Sequence, residues 1–190
     1  NPTGSVTPVE VIEKILDSIR GVLFLDCAYC EFSDVDYTPL LSHDNLIIGR
    51  TLSKVYGLAG LRVGYAFVPK WLTAPYNSAA TPFTLNIVSE AAAVAAVADT
   101  KYKDDFIAHV RKWRYEFVQK IPYPVFESGA NFVLINTAPI KSDDAVERLA
   151  EHGVLARSCR SFPGLGETFV RVSVGDIWEN ERFLEAVNNL

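Results

Sequence analysis

Apolar positions along this chain follow two rhythms. Val9, Ile12, Ile15, Leu16 and Ile19 recur at three- and four-residue intervals, which predicts a helix with Thr7 as N-cap, Pro8 in the first turn and Gly21 as its stop. An unbroken apolar run, VLFLD at 22–26, follows at once and reads as a strand buried on both faces, as in a parallel sheet. LIIGR at 46–50 and RVGYAFV at 62–68 repeat the pattern. A short helix is predicted over 70–79, after Pro69. Residues 86–98 form a strongly apolar helix whose Ala-rich window 91–98 reads as buried. Residues 101–120 form a longer amphipathic helix striped by Tyr102, Phe106, Val110, Trp113 and Phe117. Alternating strands and helices over 1–80 argue an α/β layer around a parallel sheet.

The pattern changes near 120, where Pro122 and Pro124 mark a linker or edge strand. Beyond them short strands at 132–137, 153–157 and 169–175 surround a helix at 143–152, with Ser142 as its cap, and a closing helix at 178–190. These elements predict a smaller α+β domain. The expected division is 1–100 and 101–190.

Composition narrows the field. Hydrophobic residues make up 49% and charged residues 22% of the 190, an ordinary globular balance. The net charge of −5 with no basic block gives nucleic-acid binding no electrostatic support. No apolar run approaches the ~18 residues of a membrane span, and no signal-peptide pattern opens the chain. Three cysteines, an odd number, point to a reducing compartment, hence the cytoplasm. Cys27 and Cys30 form a C-x-x-C without a second pair, and are expected to be core or loop thiols. His43, His109 and His152 lack metal spacing, so no metal site is expected.

The chemistry concentrates in TLSKVYGLAGLRVGY, 51–65. Lys54 is its only lysine, Thr51 and Ser53 bring hydroxyls, and Arg62 follows a loop containing Gly57 and Gly60. Upstream, the first apolar run ends in Asp26. An amine, hydroxyls with a guanidinium, and an acid at a strand end are the groups that pyridoxal phosphate needs. The amine condenses with its aldehyde, the hydroxyls and arginine hold its phosphate, and the acid keeps its ring nitrogen protonated.

The S-K-x-x-G-L-A-G-L-R-x-G-Y stretch, the D-x-A-Y at 26–29 and the opening N-P-T-G resemble the fold-type I aminotransferases, most closely their histidinol-phosphate branch. The resemblance runs from Asn1 to the RVSVG at 171–175. It implies part of a parallel-sheet large domain followed by a small C-terminal domain. It also implies pyridoxal phosphate bound by Asn1, Asp26, Tyr29, Thr51, Ser53, Lys54 and Arg62, with Lys54, Asp26 and Tyr29 catalytic. Tyr29 and Asn1 would bond the cofactor 3′-oxygen. Arg171 would grip the substrate carboxylate, with Arg157 and Asn131 as further substrate positions. Cys27 stands where the pattern usually has an acid.

The reaction implied moves an amino group between glutamate/2-oxoglutarate and histidinol phosphate/imidazole acetol phosphate, in a homodimer with no nucleic-acid or membrane partner. Relatives of this kind are about twice as long and the chain has no methionine, so an N-terminal half is expected to be missing and the 190 residues alone to be inactive. Two alternatives stay open. One is a related pyridoxal-phosphate enzyme: an aromatic or aspartate aminotransferase, or a phosphothreonine decarboxylase. The other is a non-catalytic, aminotransferase-like regulatory domain.

Overall fold

Helix α1, Val9–Ser18, forms where the apolar spacing places it. Pro8, not Thr7, is its N-cap, and no side chain caps it. The Thr7 carbonyl instead accepts from the Tyr37 hydroxyl at 2.5 Å, which ties the helix entry to a later loop. Ile12 and Leu16 pack against Tyr37, Leu40, Leu46 and Ile48, the core of this part of the chain. The computed structural model describes residues 1–190 and divides into two compact units. One is Thr7–Ile107, and the other joins Asn1–Val6 to Ala108–Leu190.

In the unit Thr7–Ile107, strands β1 (Leu23–Asp26), β2 (Leu46–Thr51) and β3 (Gly64–Phe67) lie side by side in that order. β1 and β2 are parallel, with Asp26 opposite Gly49. β3 runs antiparallel to β2, with Gly64 opposite Thr51, so the sheet is mixed rather than wholly parallel. The cause is local. A parallel neighbour needs a crossover, usually helical, to carry the chain back to the starting end. The link from β2 to β3 holds only a 3-10 turn, Ala59–Leu61, and the chain returns from the end it reached. Gly64 is required there, because a Cβ would stand 2.7 Å from the Arg50 carbonyl oxygen.

Two burial expectations fail. One face of this sheet is open: Phe24 is 60% exposed, and Tyr65 and Phe67 also face solvent. Helix α2 is Thr73–Ala79. Helix α3, Ile87–Ala98, forms as expected and is capped by Asn86, whose side chain accepts from the Ser89 amide. It buries only Ser89, and Val94 is 70% exposed. Apolar composition predicted burial, but this chain supplies no covering surface for either face.

Helix α4, Thr100–Lys120, contains the boundary between the units. Val110, Trp113 and Phe117 of the expected stripe are buried, while Tyr102 is half exposed. In the second unit, β4 (Phe132–Asn136), β5 (Arg157–Ser158) and β6 (Phe169–Ser173) form an antiparallel sheet in the order β4-β6-β5. Phe117 meets Phe183 edge to face at 5.2 Å, and residues 132–135 of β4 are buried. Helix α5 is Ser142–Glu151, with Lys141 rather than Ser142 at its N-cap. The Ser142 hydroxyl is buried and meets that of Ser158 at 2.9 Å. Helix α6, Ile177–Val187, opens with a capping box between Asp176 and Glu179. The opening residues join this unit through the Gly4 carbonyl, which accepts from the Gly129 amide at 2.8 Å.

Candidate active site

β1 delivers Asp26 at its C-terminal end, exposed, with its carboxylate accepting from the Ala28 amide at 3.0 Å. In open α/β sheets that end of a strand is where ligands lie. The chain then turns, and a 3-10 turn, Cys30–Phe32, starts just after Tyr29. Buried Cys27 and Phe32 hold the two ends of this loop. β2 ends at Thr51, and the next turn presents Ser53 and Lys54. The Lys54 ammonium lies 5.3 Å from the centre of the Tyr29 ring, so it faces a phenol rather than a carboxylate. Five of the sequence candidates (Asp26, Tyr29, Thr51, Ser53 and Lys54) thus sit on two parallel-strand ends and the loops that leave them.

Two members of the expected phosphate cup are engaged locally. The Thr51 hydroxyl accepts from the Ser53 amide at 3.1 Å and reaches the Val63 carbonyl at 3.5 Å, closing the turn before the lysine. Arg62 is exposed and adopts left-handed backbone angles, φ 54 and ψ 43, which are uncommon for a side-chain-bearing residue. Its guanidinium donates to the Ala59 carbonyl at 3.0 Å.

The remaining candidates belong to the second unit. Arg157 and Arg171 are direct cross-strand partners of β5 and β6. Both line a cavity of about 570 Å³ that also touches Trp178, Asn180 and Arg182. Arg157 stacks over Phe162 at 5.0 Å and Arg171 over Phe132 at 4.8 Å. Like charges placed directly opposite one another across strands repel. An anion held between them removes that cost, so this arrangement suits a carboxylate or phosphate. Arg171 also donates to the Asn1 side-chain oxygen at 2.6 Å, leaving the Asn1 amide nitrogen as a donor. Asn131 precedes β4, and its carbonyl accepts from the Val174 amide at 2.9 Å.

One ion pair escaped the sequence reading. Arg50 Nη2 donates to Glu31 Oε1 at 2.9 Å, with the Glu31 side chain only 8% exposed. Burial works against the Arg50 charge, but the Glu31 carboxylate outweighs it and holds the guanidinium above its ordinary range. The available signal was an arginine interrupting an otherwise apolar strand.

The family model for aminotransferase class I and II matches residues 1–187. The chain is 73% identical over 190 residues to a histidinol-phosphate aminotransferase of Methanocorpusculum labreanum, covering all of this chain and 54% of that protein. It therefore spans about half the length of the curated relatives it matches. Its structure superposes on the histidinol-phosphate aminotransferase of Clostridium acetobutylicum with a TM-score of 0.92 at 27% identity, covering all of this chain and 62% of that one. The Sinorhizobium meliloti enzyme, solved in complex with pyridoxal-5′-phosphate, gives 0.87 at 27% identity, over all of this chain and 54% of that one. The chain belongs to the class I and II aminotransferases.

Proposed function

We propose that this chain is part of a pyridoxal-phosphate-dependent aminotransferase that moves an amino group between glutamate/2-oxoglutarate and histidinol phosphate/imidazole acetol phosphate. The observation that carries the reading is Lys54 Nζ facing Tyr29 beside the strand ends that bear Asp26 and Thr51. The donor set fits the cofactor, with an amine, a strand-end carboxylate, a phenol, a serine hydroxyl and a guanidinium all in the unit Thr7–Ile107. The names of the relatives support the substrate pair.

When bound, pyridoxal phosphate supplies an aldehyde that joins to amines and a protonated ring that draws electrons from the substrate Cα–H bond. Each protein group then has one task. Lys54 Nζ would take the proton from the substrate Cα and return it to C4′ of the cofactor. The Asp26 carboxylate keeps the ring nitrogen protonated. Tyr29 would hydrogen-bond the 3′-oxygen through its hydroxyl, and the resemblance adds Asn1 as a donor for that oxygen. Ser53, Arg62 and the turn closed by Thr51 hold the phosphate. Arg171 grips the carboxylate of glutamate, and Arg157 lies beside it for the second substrate's phosphate. The resemblance adds Asn131 as a further substrate position.

The enzyme would work in the cytoplasm, where its three free thiols stay reduced. It would act as a homodimer that covers exposed apolar residues of α3. Sedimentation of the protein expressed from its full reading frame reads that assembly, and a monomer at micromolar concentration contradicts it. The decisive functional assay supplies glutamate and imidazole acetol phosphate. Equal amounts of 2-oxoglutarate and histidinol phosphate should appear. Release of carbon dioxide from phosphothreonine without amino transfer would move the chain to the decarboxylase alternative.

A further inference from the structure

The Arg50–Glu31 pair is poorly explained as a stabilising contact. Arg50 sits on β2 one residue before Thr51, and Glu31 sits two residues after Tyr29. The Arg50 side chain is 23% exposed and the Glu31 side chain 8%. Only one bond joins them, at 2.9 Å. Arg50 Nε and Glu31 Oε2 are both buried without a hydrogen-bond partner. A buried ion pair is weak evidence for stability even when fully satisfied, and two apolar side chains of similar volume often serve as well or better. Each orphaned polar atom adds a further desolvation cost.

Its placement gives the pair another role. The loop from Asp26 to Phe32 is fixed at its ends by the buried side chains of Cys27 and Phe32. Backbone bonds set the path of the turn between them, with the Cys30 amide donating to the Cys27 carbonyl at 3.4 Å and the Ser33 amide to the Cys30 carbonyl at 3.1 Å, and the ion pair adds a side-chain tie from that turn to β2. A charge-assisted hydrogen bond is directional. The Phe32 amide donates to the Tyr29 carbonyl at 3.0 Å, so Glu31 belongs to the same turn that carries the phenol. The far end of the ion pair is anchored in β2, the strand whose next turn presents Lys54. The pair therefore connects the two loops whose side chains meet at 5.3 Å.

We infer that Glu31 and Arg50 are positioning residues for Tyr29, holding its phenol against the Lys54 amine so that it can meet the cofactor 3′-oxygen. This rests on the pyridoxal phosphate reading above. Neither residue is among those assigned to cofactor or substrate, and the pair acts through the tyrosine.

The test is a double-mutant cycle in the protein expressed from its full reading frame. Arg50→Met/Glu31→Met replaces both charges with apolar chains, and Glu31→Gln keeps a neutral hydrogen bond. Each is made with Tyr29 and with Tyr29→Phe. Three quantities are read: the melting temperature without cofactor, the dissociation constant for pyridoxal phosphate, and the visible circular dichroism of the bound cofactor. The double-Met protein should melt at or above the wild-type temperature, yet bind pyridoxal phosphate about tenfold more weakly, the weight of one hydrogen bond, and lose visible dichroism. Glu31→Gln should fall between the two, a partial rescue. Tyr29→Phe should weaken binding in the wild type but add little in the double-Met protein. If the double-Met protein does not fold, Glu31→Gln carries the same comparison. Unchanged affinity and dichroism in a folded variant overturn the inference, as does a Tyr29→Phe effect that is the same in every background. A wild type that binds no pyridoxal phosphate overturns the functional reading and this inference together. A wild type that binds it alongside indifferent variants overturns the positioning role alone.

Discussion

Replacing Arg157 with Gln separates the cost of the arginine pair from its use. Like charges directly opposite one another across strands repel, by an amount in the ~0.2–1 kcal/mol range of cross-strand pairs. Arg157→Gln removes that repulsion from Arg171, its partner across β5 and β6. It also removes the stacking of Arg157 over Phe162 at 5.0 Å, worth about 0.5 kcal/mol at an exposed site. The two nearly cancel, so in chloride the variant should unfold within ~0.5 kcal/mol of the wild type. Phosphate breaks the balance. An anion at ten times its dissociation constant stabilises the protein that binds it by about 1.4 kcal/mol, or roughly 3–6 °C in melting temperature for a chain of 190 residues. The wild type should gain that shift and the variant little of it. The assay is thermal unfolding against phosphate at constant ionic strength, with chloride as balance because exposed charges are screened by any salt. Equal phosphate shifts in both proteins would refute the reasoning, because the arginines would then not share an anion.

Other residues make sharper demands. Asp26→Ala should keep the fold, since the carboxylate is exposed and bonds only the Ala28 amide among its neighbours. It should lower turnover by several orders of magnitude, and a loss below about tenfold, ~1.4 kcal/mol, in steady-state kinetics would remove the acid from the chemistry. Phe117→Ala should cost about 3–5 kcal/mol in denaturant unfolding, because the ring is fully buried against Phe183; a cost under ~1 kcal/mol would mean the site collapses freely. Interaction between the neighbouring thiols lowers the Cys30 pKa and raises that of Cys27, burial raises that of Cys159, and Cys30 alone of the three is not buried. A lower pKa means more thiolate at neutral pH. Iodoacetamide at pH 7 should therefore modify Cys30 first by peptide mass spectrometry, and first modification of Cys159 would reverse that order.

Local signals placed most elements. Helices α1, α3, α4 and α6 and strands β1, β2, β4 and β6 lie where apolar spacing puts them, because that spacing reports which side must be covered. The sequence does not carry the direction of β3. Its apolar run reads alike in either sense, and the direction was decided by a connecting loop without a helix. Burial was misread at Phe24 and along α3 for a related reason. Hydrophobicity demands a partner without saying whether this chain provides it. Among site candidates, Asp26, Tyr29, Ser53 and Lys54 could be placed near one another because strand ends and their loops follow from the pattern. The local bonding of Thr51 and the left-handed backbone of Arg62 could not, since they arise from turn geometry. The Arg50–Glu31 pair joins residues nineteen apart in sequence, one on β2 and one in the 3-10 turn after Tyr29, and no periodicity reports such a contact.

The central claim is that Lys54 carries the cofactor. Pyridoxal phosphate is added to the protein expressed from its full reading frame, the adduct is reduced with borohydride, and the digested peptides are mapped by mass spectrometry. The account predicts one stoichiometric pyridoxyl group on Lys54, absent after Lys54→Ala and restored on no other lysine. A stoichiometric label on a different lysine, or none at saturating cofactor, would contradict it.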